Sequence, residues 1–267
     1  MTLIKSISGI RGTIGGKPGD TLSPLDTVKF ASAYGTWLQN NRESGLKTKV
    51  VIGRDARLSG ALISNLVQSS LLALGIDVVD LGLSTTPTVE VMVTKLGAQG
   101  GIILTASHNP IEWNALKLLN EKGEFVSAQD GADILSIAER EDFNYAEVLD
   151  LGSCTTYETA IAEHIEDILK LPYVDIKAIK AANFKVAIDA VNSTGGISIP
   201  PLLKALGVNQ IVELYCEPTG HFPHNPEPLK ENLGDIMKTV VAQSCDVGLV
   251  VDPDVDRLAL ISEDGSM

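Results

Sequence analysis

Ile102-Ile103-Leu104-Thr105-Ala106-Ser107-His108-Asn109-Pro110 takes the chain from an apolar run into a polar turn. The aliphatic residues at 102–104 predict a short buried strand, and Asn109-Pro110 are turn formers that must leave it. A second segment repeats this change, because the apolar run at 247–251 leads into Asp252-Pro253-Asp254-Val255-Asp256-Arg257. Open α/β sheets bind ligands at the carboxyl ends of their strands, so both polar segments are candidate functional loops.

Strands and helices alternate around both segments, as in α/β proteins. Leu74-Gly75-Ile76 and Leu206-Gly207-Val208 occupy the same helix-to-strand corner in the two halves, which indicates a repeated unit. The sequence predicts two consecutive α/β domains of related topology with mixed, mainly parallel sheets. The predicted helices are 24–38, 62–74, 87–96, 157–171, 200–206 and 234–243, and the predicted strands are 50–52, 76–81, 102–104, 186–188, 211–215 and 247–251.

A polar, acidic stretch at 139–150 separates the two halves. We therefore place the first domain, which carries the serine segment, at residues 1–150. The second domain, which carries the carboxylate segment, is placed at residues 151–261.

The composition excludes several classes of protein. With 34 Asp and Glu against 21 Lys and Arg, the formal charge is −13, whereas binding to nucleic acid requires a basic surface. The three cysteines are far apart, so neither a disulfide framework nor a zinc site is predicted. The sequence shows no signal-peptide pattern and no apolar run of membrane length. We expect a cytoplasmic protein without nucleic-acid or membrane partners.

The three carboxylates of the second segment form a candidate metal site. Asp252, Asp254 and Asp256 alternate along the chain, so in an extended segment all three face one point, and hard oxygen ligands suit Mg²⁺ or Ca²⁺. An EF-hand calcium loop is disfavoured, since it needs glycine where Arg257 stands. A polar loop without a ligand is the remaining alternative, against which Pro253 counts because it fixes the backbone between two ligands. Arg257 is placed to hold a phosphate that the metal also contacts.

Ser107 has two interpretations. The turn around it could serve backbone geometry alone. A serine-hydrolase triad is disfavoured, because His108 is its neighbour on a strand and such side chains point to opposite faces. A serine near three carboxylates can instead carry a phosphoryl group, one of whose oxygens becomes a fourth metal ligand.

Four cationic residues are further candidates. Arg54 and Arg57 lie in a glycine-bounded loop ahead of a helix, which suits either a phosphate or an ion pair between domains. Arg11 lies in Ser8-Gly9-Ile10-Arg11-Gly12 and either binds phosphate or is a solvated charge on a tight turn. Lys117 is an acid, a base, a phosphate contact or an ordinary surface lysine.

The run His221-Phe222-Pro223-His224-Asn225-Pro226-Glu227-Pro228 contains two histidines and three prolines. Metal binding by the histidines is one interpretation. The prolines favour a rigid loop.

Taken together and in this order, these segments resemble the α-D-phosphohexomutase family, which includes phosphoglucomutase, phosphomannomutase and phosphoglucosamine mutase. The segment at 105–110 looks like its phosphoserine loop, and the segment at 252–257 looks like its metal loop. The segments at 53–57 and 8–12 match two further family motifs. The order of the four motifs is more specific than any one of them.

The chain departs from the family pattern at two places. Ser6-Ile7-Ser8 stands where Gly-Thr-Asp or Gly-Thr-Ser is usual, and Asn114-Ala115-Leu116-Lys117 replaces Asn-Gly-x-Lys. Family members have four domains, so residues 262–267 would begin a third domain. We therefore expect residues 1–267 to be an N-terminal fragment that is inactive by itself.

The resemblance implies an enzyme that interconverts hexose 1-phosphate and 6-phosphate, with glucose, mannose or glucosamine as the sugar, through a phosphoserine and a bisphosphorylated sugar. It implies the small-molecule hexose phosphate as partner and Mg²⁺ as cofactor. An Mg²⁺-dependent sugar-phosphate phosphatase and a non-catalytic sugar-phosphate or metal-binding module are the alternatives. The implied catalytic residues are Ser107, His108, Lys117 and Arg257, the implied phosphate-binding residues are Arg11, Arg54 and Arg57, and the implied metal ligands are phosphorylated Ser107, Asp252, Asp254 and Asp256.

Overall fold

Residues 1–6, 9–41 and 47–267, which this computed structural model describes, alternate between strands and helices along most of the chain. The strands are β1 (Ile4–Ser6), β2 (Gly9–Thr13), β3 (Lys49–Arg54), β4 (Asp77–Leu83), β5 (Gly100–Leu104), β6 (Trp113–Leu119), β7 (Cys154–Thr156), β8 (Lys185–Asp189), β9 (Gln210–Leu214), β10 (Val247–Val251) and β11 (Leu258–Ser262). The helices are α1 (Pro24–Asn41), α2 (Gly60–Ala73), α3 (Thr86–Lys95), α4 (Ala128–Arg140), α5 (Ala160–Leu169), α6 (Ile176–Ala182), α7 (Gly195–Ala205) and α8 (Gly234–Ala242).

The first sheet has seven strands in the order β1-β2-β6-β5-β3-β4-β7. Its strands β5, β3, β4 and β7 are parallel, and β1, β2 and β6 pair antiparallel. Side chains alternate across β3, so Val50 and Ile52 pack in the core with α1, α2 and α4, whereas Val51 packs on the other face with α3. Helices on both faces therefore fix the carboxyl end of β5, where the serine segment begins.

The second sheet has four strands in the order β11-β10-β8-β9. Strands β9, β8 and β10 are parallel, and β11 returns antiparallel to β10. Val250 packs with α8 on one face, and Val251 packs with Leu203 of α7 on the other. The carboxylate segment connects β10 to β11 at the edge of this three-layer unit.

The predicted fold class is confirmed: two α/β units follow each other, and both sheets are mixed, with parallel strands on one side and antiparallel strands on the other. The predicted strands and helices did not include β1, β2, β6, β7, β11, α4 or α6. Helix α7 begins at Gly195, well before the predicted start at residue 200, and contains Pro200 and Pro201 inside it. Because proline is favoured in the first helical turn, these prolines had indicated a helix start.

Strand β7 lies within residues 151–261 yet pairs with β4 of the first sheet, Val78 lying opposite Cys154. Ala160 of α5 also packs into the core of the first sheet. The first unit thus includes chain beyond residue 150. The proposed boundaries of the domains otherwise stay predictions. Among the helices of the described ranges, none is long and apolar enough to cross a membrane.

Candidate active site

The serine loop, residues 105–110, leaves β5 through a residue in the left-handed region. Ser107 has φ +48°, a conformation that costs energy outside glycine. Its N–H donates to Thr105 Oγ1 at 2.9 Å, which supports the turn. The turn sends the Ser107 hydroxyl to the second unit, where Oγ donates to Asp252 Oδ2 at 2.6 Å.

Arg57 holds the serine loop from inside the first unit. Its side chain is fully buried, and its five N–H donors all have acceptors within the protein. This arrangement leaves Arg57 no free donor for a substrate phosphate, the role that the resemblance implied, and its ion pair with Asp55 lies within the first unit. The acceptors are Asp55 Oδ2 at 3.0 Å and the carbonyl oxygens of Ser107 at 2.6 Å, Asn109 at 2.7 Å, Pro110 at 2.7 Å and Trp113 at 3.0 Å.

The carboxylate loop, residues 252–257, folds back on its first residue. Asp252 Oδ1 accepts the N–H groups of Asp256 at 3.2 Å and Arg257 at 3.1 Å. Val255 has φ +64°, which is strained for a β-branched residue. The loop brings carboxylate oxygens of Asp252, Asp254 and Asp256 within 4.8 Å of one another, close enough to share one cation.

Asp254 lies at the centre of this group and is completely buried. Its Oδ2 accepts the Thr86 hydroxyl at 2.5 Å and Lys117 Nζ at 2.7 Å. Lys117 Nζ also donates to Asp256 Oδ2 at 2.8 Å. Asp254 Oδ1 is buried without a hydrogen-bond partner in the described part of the chain. A buried carboxylate oxygen without a partner is costly. The carboxylate oxygens of the three aspartates therefore fit a bound metal ion as their common partner.

Two carboxyl groups of this loop, those of Asp252 and Asp254, have shifted pKa values. Burial, and after it the negative charge of Asp254, raises the pKa of Asp252 to about 8. Burial acts in the same direction on Asp254, but the Lys117 ammonium outweighs it and holds the pKa of Asp254 below its usual range. Near pH 7, therefore, a proton remains on Asp252 while Asp254 is ionised, and a divalent cation would displace that proton.

Lys117 and His108 differ in charge near neutral pH. Burial opposes the charge of Lys117, but Asp254 and Asp256 keep its pKa above the usual value, so the amine is an ammonium that can donate a proton or bind a phosphate. Burial, and then Arg257, lowers the pKa of His108, so its ring is neutral and can accept a proton. Its Nδ1 lies 3.5 Å from Ser107 Oγ, too far for a strong hydrogen bond.

An open cavity of about 380 Å³ lies in front of Ser107. The cations that line it are Arg11, Lys117 and Arg257, which suits an anionic ligand. The structure brings these residues together with the serine and carboxylate loops. Arg54 is not among the lining residues, and its Nη1 donates to the Asp55 carbonyl at 3.3 Å. Ser8 of the Arg11 motif lies outside the described residues.

Two polar contacts of the site were not apparent from the sequence. Thr86 is the first residue of α3, and its hydroxyl reaches Asp254. The only sequence signal near Thr86 was the helix start Thr85-Thr86-Pro87, and such a pattern can serve to cap the helix without contributing to a site. Ser193 accepts the Ala56 N–H at 3.2 Å and donates to the Pro253 carbonyl at 2.7 Å. It thus ties the carboxylate loop to the first unit.

Two family models match the chain. The model described as phosphoglucomutase/phosphomannomutase, alpha/beta/alpha domain I, matches residues 3–145, and the model of alpha/beta/alpha domain II matches residues 162–265. The matches correspond to the two α/β units of the structure.

Individual relatives agree with these models. A phosphoglucomutase/phosphomannomutase of Thermococcus kodakarensis is 37% identical over 95% of this chain and 55% of its own length. A phosphoglucosamine/phosphogalactosamine mutase of Sulfurisphaera tokodaii is 31% identical over 96% of this chain and 54% of its own length. The crystal structure of a phosphoglucomutase/phosphomannomutase family protein from Burkholderia thailandensis superimposes with a TM-score of 0.83 at 28% identity, over 98% of this chain and 55% of that one. The chain thus spans about half the length of the relatives that it matches.

Proposed function

The chain belongs to the phosphoglucomutase/phosphomannomutase family of α-D-phosphohexomutases, and from this premise we propose that it carries the phosphoserine and metal sites of an enzyme that interconverts hexose 1-phosphate and hexose 6-phosphate. The observation that carries the proposal is the hydrogen bond of 2.6 Å from Ser107 Oγ to Asp252 Oδ2. It joins a serine on one unit to a group of three carboxylates on the other, as phosphoryl transfer near a metal ion requires.

The proposed cofactor is Mg²⁺, held by Asp252, Asp254, Asp256 and an oxygen of phosphorylated Ser107. Hard carboxylate oxygens suit this ion, and the unpaired Asp254 Oδ1 supports a ligand at this place. When bound, the ion supplies positive charge that stabilises a transferring phosphoryl group.

In the proposed reaction, a sugar hydroxyl attacks the phosphorus on Ser107. The new bond forms between the hydroxyl oxygen and phosphorus, and the bond from phosphorus to Ser107 Oγ breaks. The neutral ring of His108 accepts the hydroxyl proton, and the Lys117 ammonium returns a proton to Ser107 Oγ as its bond to phosphorus breaks. Since the transition state is loose, positioning by these groups and by Arg257 contributes more than covalent chemistry.

The proposed partner is a hexose phosphate whose phosphate contacts Arg11 and Arg257 in the cavity. Those two side chains and Lys117 place three cations on the cavity lining, beside the carboxylate of Asp256, in a chain of net charge −13. A contact from Arg54 to this phosphate and a cytoplasmic location stay predictions from the sequence.

The test is incubation of the full-length protein with glucose 1,6-bisphosphate and Mg²⁺, followed by peptide mass analysis. We expect phosphate on Ser107, its loss in Ser107→Ala and its retention in Ser59→Ala, which changes a serine outside the cavity. Conversion between the 1- and 6-phosphates of glucose, mannose and glucosamine then identifies the sugar. Release of inorganic phosphate without isomer would favour a phosphatase, and ligand binding without any phosphoserine would favour a non-catalytic module.

A further inference from the structure

The proline loop, which we define as residues 216–228, extends from the second sheet to Ala56 and Arg57 of the first unit. Its start is tied to Asn192, whose N–H donates to the Tyr215 carbonyl at 2.6 Å. Asn192 Nδ2 donates to the His221 carbonyl at 2.9 Å, and the Gly220 N–H donates to the Asn192 carbonyl at 3.0 Å. The first half of the loop is therefore fixed to the second unit by one residue.

The proline loop contacts two arginines of the site. The Phe222 ring lies 5.1 Å from Arg57 Cζ, within range of a cation–π interaction. Glu227 Oε1 lies 3.1 Å from Arg257 Nη1. Gly220 presses on the first unit, since a Cβ there would lie 2.0 Å from the Ala56 carbonyl oxygen. The loop thus contacts the arginine that holds the serine loop and an arginine of the cavity.

His224 anchors the second half of the proline loop through both ring nitrogens. Its Nε2 lies 3.0 Å from Asp189 Oδ2, and its Nδ1 lies 2.8 Å from the Asn225 carbonyl oxygen. Both partners are acceptors, whereas a neutral imidazole has only one N–H. Only the imidazolium satisfies both contacts. Its positive charge also pairs the Asp189 carboxylate, which is 1% exposed and costly to bury alone.

The charged groups around His224 favour the imidazolium. Asp189 faces it from the end of β8, Asp235 acts on it from α8, and the Tyr215 ring meets it edge-on at 5.8 Å. Burial alone would lower the pKa of His224, but the hydrogen bond and charge of Asp189, helped by Asp235, raise it above the usual value. With a raised folded-state pKa, the anchor is fully present below about pH 6.5 and is lost as the pH rises through the folded-state pKa.

We propose that His224 is a positioning residue: held as an imidazolium between Asp189 and the Asn225 carbonyl, it sets the proline loop, which places Phe222 on Arg57 and Glu227 on Arg257. His224 thereby couples the second sheet to the serine loop without touching the cavity itself. The consequence for turnover rests on the proposed function. The position of the loop does not.

The test uses ¹⁵N-histidine-labelled protein and long-range ¹H–¹⁵N spectra from pH 5.5 to 9. We expect both ring nitrogens of His224 to stay protonated above the ordinary histidine pKa of about 6.5. The signal of Arg57 Nε–H, which the Phe222 ring current shifts, should change with the midpoint of His224. That change should disappear in His224→Gln and persist in the matched control His221→Gln.

Asp189→Asn provides a second variant that preserves size and can still accept the Val191 N–H. Its amide donates to Nε2, so a neutral His224 now satisfies both contacts. The pH dependence should therefore reverse, with the contact between Phe222 and Arg57 kept at high pH and weakened at low pH. This reversal distinguishes positioning by the ring charge from a general packing role.

Either of two results overturns the inference: a His224 ring that titrates at or below the ordinary histidine pKa of about 6.5, or an Arg57 signal that is the same in wild type, His224→Gln and Asp189→Asn. In the full-length enzyme, we expect His224→Gln to lower kcat by about 100-fold with KM little changed. A wild-type protein without mutase activity but with the expected spectra would refute the proposed function and support this inference.

Discussion

Ser107 Oγ and Asp252 Oδ2 lie 2.6 Å apart although 145 positions separate the two residues in the chain. Each belongs to a loop that contains a non-glycine residue at positive φ, Ser107 itself at +48° and Val255 at +64°. Such conformations persist only when surrounding contacts enforce them. The described contacts do so through Arg57 on one side and through Asp252 Oδ1 on the other.

Replacement of Asp254 should remove metal binding while the fold remains. In Asp254→Asn the buried position keeps its size and still accepts hydrogen bonds from Thr86 and Lys117, but it loses the charge that a divalent cation requires. We expect Mg²⁺ affinity, measured by isothermal titration calorimetry, to fall by about two orders of magnitude. Asp264→Asn, at an exposed aspartate outside the group of three, should leave it unchanged. Equal Mg²⁺ affinity in Asp254→Asn and Asp264→Asn would show that the carboxylate loop does not bind the metal ion.

The pH dependence of metal binding should follow the protonation of the Asp252 carboxyl group. A folded-state pKa of about 8 exceeds the usual value of about 3.9, so the folded protein holds the extra proton. The contribution of this carboxyl to stability therefore falls as the pH rises from about 4 to 8. Mg²⁺ must displace this proton, so its affinity should rise by about tenfold from pH 6 to pH 7. Isothermal titration calorimetry at pH 6 and at pH 7 tests this. In Asp252→Asn, the Mg²⁺ affinity should no longer depend on pH in this range.

Removal of the Lys117 charge should lower the stability of the metal-free protein and raise its affinity for Mg²⁺. Lys117 neutralises Asp254 and Asp256 in the metal-free protein, so Lys117→Met should lower its melting temperature. The same change removes a positive charge beside the proposed metal site, and Mg²⁺ should bind about tenfold more tightly. Thermal denaturation with and without MgCl₂ measures both effects, with Lys122→Met as the exposed control. If Lys117→Met bound Mg²⁺ more weakly, the Lys117 ammonium and Mg²⁺ would not be competing for the carboxylates of Asp254 and Asp256.

Arg57→Ala should destabilise the first unit strongly. The change leaves the Asp55 carboxylate without its positive partner and four carbonyl oxygens without the guanidinium donors, and loss of one partner of a buried ion pair costs about 3–5 kcal/mol. Urea denaturation measures the free energy of unfolding, with Arg140→Ala as an exposed control that should stay within about 0.5 kcal/mol. A loss below about 1 kcal/mol would show that water replaces the guanidinium.

The fold and the two site loops could be predicted because their signals are local. Apolar runs that end in Ser107 or in the alternating aspartates mark strand ends wherever the chain goes. The capping box of Ser127 and Asp130 at the start of α4 was an equally local signal that the pattern of apolar residues did not reveal. Strand β6 was missed because Lys117 directed the interpretation of that segment to a site motif, although buried residues lie on both sides of it.

The role of Arg57 could not be predicted from its neighbours in sequence. A glycine-bounded arginine ahead of a helix looks the same whether it contacts a ligand or the protein interior. The carbonyl oxygens that it holds lie 50 to 56 positions further along the chain. Only the pairing of β3 with β5 decides between the two roles.

The distance in sequence between Arg57 and its acceptors also affects how the protein folds. The guanidinium has nothing to bind until β3 and β5 have paired and the chain has turned back to Trp113, so the serine loop becomes ordered after the sheet. Contacts that form after the transition state mainly slow unfolding. A chevron plot of Arg57→Ala should therefore show faster unfolding with a nearly unchanged refolding rate, which would make this buried side chain a determinant of the lifetime of the native state.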